Sequence, residues 1–219
     1  MPHAGNRRGK YLGFVAHEIK NPLATALWSC DLLKRMDAAD RGGPRAEKMV
    51  DASLRALRRM RRLVDDYFTI ERLHERGYEL HSEPLELRSL VDGAVAALSD
   101  KDAIPTQGWS IDVPGQVVVT GDPDMLRRGI RVLLEYMATS GSGQAKISVV
   151  GHATASGGEL LVRSSAPPNP LVPPHPEERA SGDPAGTVLG YALAEAIVAA
   201  HAGSIQPRDG ALVVTLPKR

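Results

Sequence analysis

At 219 residues the chain can bury one large core or two small ones, and its 42% apolar and 24% charged content is that of an ordinary soluble globular protein. A net charge of +1 supplies no global field for nucleic acid or an acidic membrane, so any such partner would need a local patch. The single cysteine excludes an internal disulfide framework, no apolar run approaches a bilayer span and no signal-peptide pattern opens the chain, so a soluble, cytoplasmic protein is expected.

The first third is helical in pattern. Leu12, Ala16, Ile19, Leu23, Ala26, Cys30 and Leu33 recur at spacings of four and three, a narrow stripe of the kind that forms a bundle seam. "DRGGPRAE" breaks it, with Gly42 and Gly43 stopping one helix and Pro44 suited to the first turn of the next. A second stripe runs through Val50, Ser53 or Leu54, Leu57, Met60, Val64 and Tyr67. Two helices of similar length joined by a short loop make an antiparallel hairpin. Its uncovered apolar seams predict pairing with a second copy into a four-helix bundle, hence a homodimer.

After "ERGYELHSEP" the texture changes. "LELRSLVDGAVAAL" predicts an amphipathic helix, and "WSIDVPGQVVVTGD" two strands around a turn. "DPDMLRRGIRVLLEYMA" predicts a helix capped by Asp122, and "AKISVVGHATASGGELLVRSS" a hairpin. A proline-rich loop, "APPNPLVPPHPEERASGDPAG", precedes a further helix, "TVLGYALAEAIVAAHAG", and a closing strand pair, "SIQPRDGALVVTL". The expected class is α+β, with no internal repeat. The expected boundaries are a helical hairpin over residues 1–76, a linker over 77–85 and an α/β-sandwich domain over 86–219.

Chemistry concentrates in "FVAHEIKNPLATALWSC". Asn21 lies one helical turn beyond His17, and Glu18 is adjacent to the imidazole. His17 is rotated about 100° from the stripe residue Ala16, which points it toward solvent. Pro22 cannot donate to the Glu18 carbonyl and crowds it, so a kink is expected there. A neutral ring nitrogen with a carboxylate holding the opposite N–H suits a nucleophile. The alternative is a solvent-facing histidine on a charged helix.

"AHEIKNPL" resembles the H-box of two-component sensor histidine kinases, whose pattern is His-Glu-x-x-Asn/Thr-Pro-Leu, and it sits in the first helix of a hairpin as in that family. The resemblance extends over nearly the whole chain, to a second domain similar to the family's ATP-binding module. It implies a bacterial protein in which His17 is the phosphoacceptor, Glu18 its acid-base and orienting partner, and Asn21 a polar residue that helps position phosphoryl chemistry.

The nucleotide boxes depart from the family. Where its N-box helix carries two asparagines, this chain has Val132 and Tyr136, with Met137 after the second. A valine cannot ligate a cation, and a tyrosine hydroxyl is a poor ligand for Mg²⁺. The Asp-x-Gly-x-Gly box aligns with Ser164, Ser165, Ala166, Pro167 and Pro168. Losing a charged partner there costs roughly 1.5–3 kcal/mol. The third box reads "GTVLGY", with Val188 and Tyr191 where the family keeps a phosphate-approaching glycine and a small apolar residue. The lid between these boxes is proline-rich.

The departures imply that ATP binding is lost and that no cofactor or metal is used. The expected function is that of a phosphorelay protein whose His17 exchanges phosphoryl groups with aspartates on response-regulator receiver domains. A working kinase core using ATP and Mg²⁺ is the first alternative, and a non-catalytic dimeric adaptor the second.

Thr25 and Trp28 continue the His17 face and are candidate partner-binding residues, with a plain bundle role as the alternative. "RALRRMRR" places five arginines between Arg55 and Arg62. Arg58 and Arg62 are candidates for docking an acidic receiver, against the plainer reading of a solvated charged face. Cys30, on the stripe, is expected in the core. His201 is expected at a helix C-terminus. His3, His74, His81, His152 and His175 have no metal-ligand spacing.

Overall fold

A computed structural model describes residues 5–75, 78–101, 104–140, 145–173 and 185–218, and the chain divides between Phe68 and Thr69 into two units. His3, His175 and most of the proline-rich loop fall outside the described residues.

The first unit is a helical hairpin. Helix α1 spans Gly5–Arg35 and α2 spans Pro44–His74, whose last turns lead into the second unit. The helix α1 continues through Pro22, which is buried. It ends at Arg35, before the glycine pair expected to stop it. Arg41 supplies the stop: its Nε and Nη2 donate to the Met36 and Lys34 carbonyls at 3.0 and 3.3 Å, satisfying groups the helix end leaves open. Gly42 instead closes a short 3-10 turn, Asp40–Gly42, and Pro44 opens α2 as expected.

The inward faces are made largely of small residues. Val15, Pro22, Ala26 and Ser29 of α1 are buried, as are Ala46, Ser53, Ala56 and Leu63 of α2. Ser53 Oγ donates to the Ala26 carbonyl at 3.4 Å, which ties the two helices together. The expected stripes therefore straddle two faces. Leu12, Leu23, Val50, Leu54 and Leu57 remain exposed, while their smaller neighbours make the hairpin contact. Cys30 is exposed rather than buried, because Ser29 takes the inward position; its Sγ lies 3.6 Å from Ser53 Oγ.

The second unit is a layered α/β domain. In chain order it contains β1 (Glu83–Glu86), α3 (Leu87–Lys101), β2 (Ser110–Asp112), β3 (Val118–Gly121), α4 (Pro123–Thr139), β4 (Ile147–Thr154), β5 (Gly157–Ser164), α5 (Ala185–Ala200), β6 (Ser204–Arg208) and β7 (Ala211–Pro217). Strand β1 thus begins within the segment read as a linker and runs across its expected end. A five-stranded sheet runs in the order β2-β4-β5-β7-β6, and β1 pairs antiparallel with β3 in a separate ribbon.

The stretch read as two strands around a turn does form two strands, but they do not pair with each other. β2 joins β4 in parallel, and β3 joins β1. The expected β4–β5 and β6–β7 hairpins are present, the latter turning through Asp209 and Gly210 at φ 49° and 72°. Two consecutive left-handed residues match the twist of paired strands, and this is why Asp-Gly is favoured there.

Ile147, Val149, Leu160, Val162, Leu212 and Val214 are buried and alternate with less buried neighbours on β4 and β5. Helices α4 and α5 pack together and against this sheet, with α3 on α4. Leu126, Leu133, Leu134, Met137, Leu189, Leu193 and Ile197 fill the interior. Asp122 caps α4 as expected, its side chain accepting from the Asp124 and Met125 N–H groups.

Candidate functional site

On α1, His17 and Asn21 are exposed and Glu18, the next residue in the chain after His17, is half-buried. Because Pro22 has no N–H, the Glu18 carbonyl loses the bond it would receive four residues on, which loosens the helix ladder at the histidine. Thr25 Oγ1 donates to the Asn21 carbonyl at 3.1 Å, one turn back on the same helix. Three turns beyond His17, Trp28 is 63% exposed. His17, Asn21, Thr25 and Trp28 share one face by helical spacing, and all four are exposed. That face carries an imidazole, neutral hydrogen-bonding groups and a large aromatic surface.

Arg58 and Arg62 lie one turn apart on the exposed side of α2. Nearby Arg61 pairs with Asp65 at 3.5 Å, both side chains largely in solvent, so this ion pair adds little stability. Among the described residues, no cluster of three or more His, Cys, Asp or Glu side chains is placed to hold a metal ion.

The positions aligned with nucleotide boxes lie on α4, on α5 and at the end of β5. Val132 and Tyr136 of α4 are buried, as are Val188 and Tyr191 of α5. The Tyr136 and Tyr191 rings pack with centroids 5.3 Å apart at 59°, an inclined geometry favoured by aromatic quadrupoles. The Tyr136 hydroxyl donates to the Leu171 carbonyl at 3.0 Å. Burial, reinforced by Glu195, pushes the Tyr191 phenol well above its ordinary value, so it stays protonated.

Ser164 Oγ accepts the Ala166 N–H at 3.2 Å, committing it to its own turn. This set presents apolar side chains and engaged hydroxyls where carboxamide or carboxylate oxygens would be needed for Mg²⁺. The residues present do not fit the metal–nucleotide pair.

The aromatic pair and its bond to Leu171 escape a box-by-box reading. Their signal was available: Tyr136 and Tyr191 are both unusually large for their positions, and two bulky replacements on packed helices invite mutual contact.

Residues 7–76 match the family model of the His Kinase A (phospho-acceptor) domain. The sensor histidine kinase TrcS of Mycobacterium tuberculosis is 31% identical over 93% of this chain and 42% of its own length. The sensor protein VanS of Enterococcus faecium is 25% identical over 92% of this chain and 54% of its own. The chain spans about half or less of these curated relatives.

Among solved structures, the Acinetobacter baumannii histidine kinase AdeS superposes with a TM-score of 0.69 at 16% identity, covering 93% of this chain and 98% of that one. The histidine kinase ThkA, solved in complex with the response regulator TrrA, gives 0.66 at 19% identity over 96% of this chain and 62% of that one. At these identities the likeness shows the fold. No helix among the described residues is long and apolar enough to cross a membrane.

Proposed function

From the premise that the chain is homologous to sensor histidine kinases, carrying their phosphoacceptor domain ahead of a domain with their ATPase-type fold, we propose that it is a phosphorelay protein working through His17 without ATP. The observation that carries this reading is a contrast. His17 is open to a partner, whereas Val132, Tyr136, Val188 and Tyr191 are packed into the domain interior.

In the forward step a neutral ring nitrogen of His17 attacks the phosphorus of an aspartyl-phosphate on a receiver domain. The N–P bond forms, the P–O bond to the aspartate breaks, and the carboxylate leaves. Glu18 holds the opposite ring N–H and steadies the positive charge that develops on the imidazole. The reverse step hands the phosphoryl group to a second aspartate. The receiver supplies the cation and the acceptor, so this chain needs only an exposed imidazole and a docking face. Thr25, Trp28, Arg58 and Arg62 are the proposed docking residues, the arginines meeting acidic groups.

The exposed Leu12, Leu23, Val50, Leu54 and Leu57 support a second copy as the cover for the hairpin, completing a four-helix bundle.

Calorimetry and a His17→Gln variant test the reading together. The folded protein should release no binding heat with millimolar ATP and Mg²⁺, and the variant should lose all phosphoryl uptake from a phosphorylated receiver. Clear heat from ATP would return the chain to the kinases, and full biological activity in the variant would favour an adaptor.

A further inference from the structure

The segment after β5 is fixed at both ends. At its start the Ser165 N–H donates to the Lys146 carbonyl at 2.9 Å, and the Lys146 N–H donates to Ser165 Oγ at 2.9 Å. Six residues later the Leu171 carbonyl accepts the Tyr136 hydroxyl at 3.0 Å. Between these points stand Pro167, Pro168 and Pro170, and Pro168 is buried. Prolines narrow the conformations open to a free segment, so fixing this one costs less entropy than fixing an ordinary loop. Tyr136 is only 3% exposed, and a buried phenol needs an acceptor; the strap provides it with a backbone carbonyl.

We propose that the Tyr136 hydroxyl and the Leu171 carbonyl form a latch that holds residues 165–171 as a strap closed against α4 at the Tyr136–Tyr191 pair. The inference deepens the reading given under Proposed function and rests on it for its meaning. The domain has lost ligands for a nucleotide, and in addition a segment of its own chain is fastened beside the aromatic pair. At the far end of the strap the fastening is the Tyr136 hydroxyl. The ring alone, inclined against Tyr191, fills volume without fastening anything.

Limited chymotrypsin digestion of the full chain, with products identified by mass spectrometry, tests the latch. In the wild-type protein the Leu171–Val172 bond should be cut at least about ten-fold more slowly than in an unstructured peptide of the same sequence. Tyr136→Phe keeps the ring and removes one neutral hydrogen bond, so the same cut should speed up about five-fold. Cleavage within β4, β5 and β7 should not change. Cutting at the peptide's rate in the wild type overturns the latch whether or not the variant folds, and so does an unchanged rate in a folded Tyr136→Phe protein. Neither measurement uses nucleotide. Heat on adding ATP would sink the phosphorelay reading and leave the digestion result standing, so the two failures are separable.

Discussion

The Nε2 atom of His201 accepts the backbone N–H of Asp122 at 3.0 Å, joining the C-terminal end of α5 to the N-terminal cap of α4. The other ring nitrogen lies 2.7 Å from the Ile197 carbonyl. With Nε2 accepting, Nδ1 carries the proton and donates to Ile197, which defines the neutral tautomer. Asp122 in turn caps α4 and accepts the His81 N–H at 3.2 Å. His201→Ala leaves the buried Asp122 N–H without its partner, while the Ile197 carbonyl keeps the backbone N–H of residue 201 at 3.3 Å, and should destabilise the second unit by about 2 kcal/mol. Urea unfolding followed at the domain's own signal measures it.

Gly121 sits against the same ring. A Cβ there would come within 2.6 Å of His201 Cδ2 and 2.5 Å of Leu126 Cδ1. Gly121→Ala should therefore cost about 1–3 kcal/mol through displaced neighbours, although its backbone conformation is ordinary. Thermal unfolding compared with a Gly115→Ala control, where a Cβ meets nothing within 4 Å, isolates the steric part.

Tyr191 makes stability sensitive to alkali. Its phenol is raised in the fold, so above about pH 10 the unfolded chain releases a proton that the native chain keeps. The contribution is fully present below that pH, and it falls by up to about 1.4 kcal/mol per pH unit above it. Unfolding midpoints taken from pH 9 to 11 should decline in the wild type and decline less steeply in Tyr191→Phe.

The hairpin should self-associate through its outer apolar residues. Leu54 and Leu57 are 41% and 50% exposed in a single chain, and placing charge at both, in Leu54→Glu/Leu57→Glu, should convert a dimer to a monomer in sedimentation equilibrium. A wild-type protein that sediments as a monomer at every accessible concentration would remove the four-helix bundle.

Trp28→Ala should slow phosphoryl exchange with a receiver about ten-fold, equivalent to about 1.4 kcal/mol, with the melting temperature unchanged. The expectation follows from exposure: a side chain 63% in solvent contributes little to the fold and is open to a partner. Steady-state transfer rates against receiver concentration report it.

Much of this molecule was legible in its residues. Period and punctuation placed α1, α2, α4 and the two antiparallel hairpins, because 3.6- and 2-residue repeats reflect burial directly. The pairing of β2 was not legible, since a three-residue strand records nothing of which neighbour it joins. Nor was the face of α1: its stripe mixed residues that meet α2 with residues left outside, and only the smaller side chains at Ala26 and Ser29 marked the true contact. His17 is exposed as expected, but so is the stripe residue Ala16 it was reckoned from; the inward position belongs to Val15, about 200° from His17. The bond between Asp122 and His201, 79 residues apart, had no local signal at all.

The most direct measurement maps phosphate on the protein by mass spectrometry after incubation with two donors in parallel, ATP with Mg²⁺ and a phosphorylated receiver domain, under conditions that preserve phosphohistidine. On the proposed mechanism His17 is modified from the receiver and not from ATP. Phosphate on His17 from ATP alone, or an unmodified His17 with both donors, would contradict it.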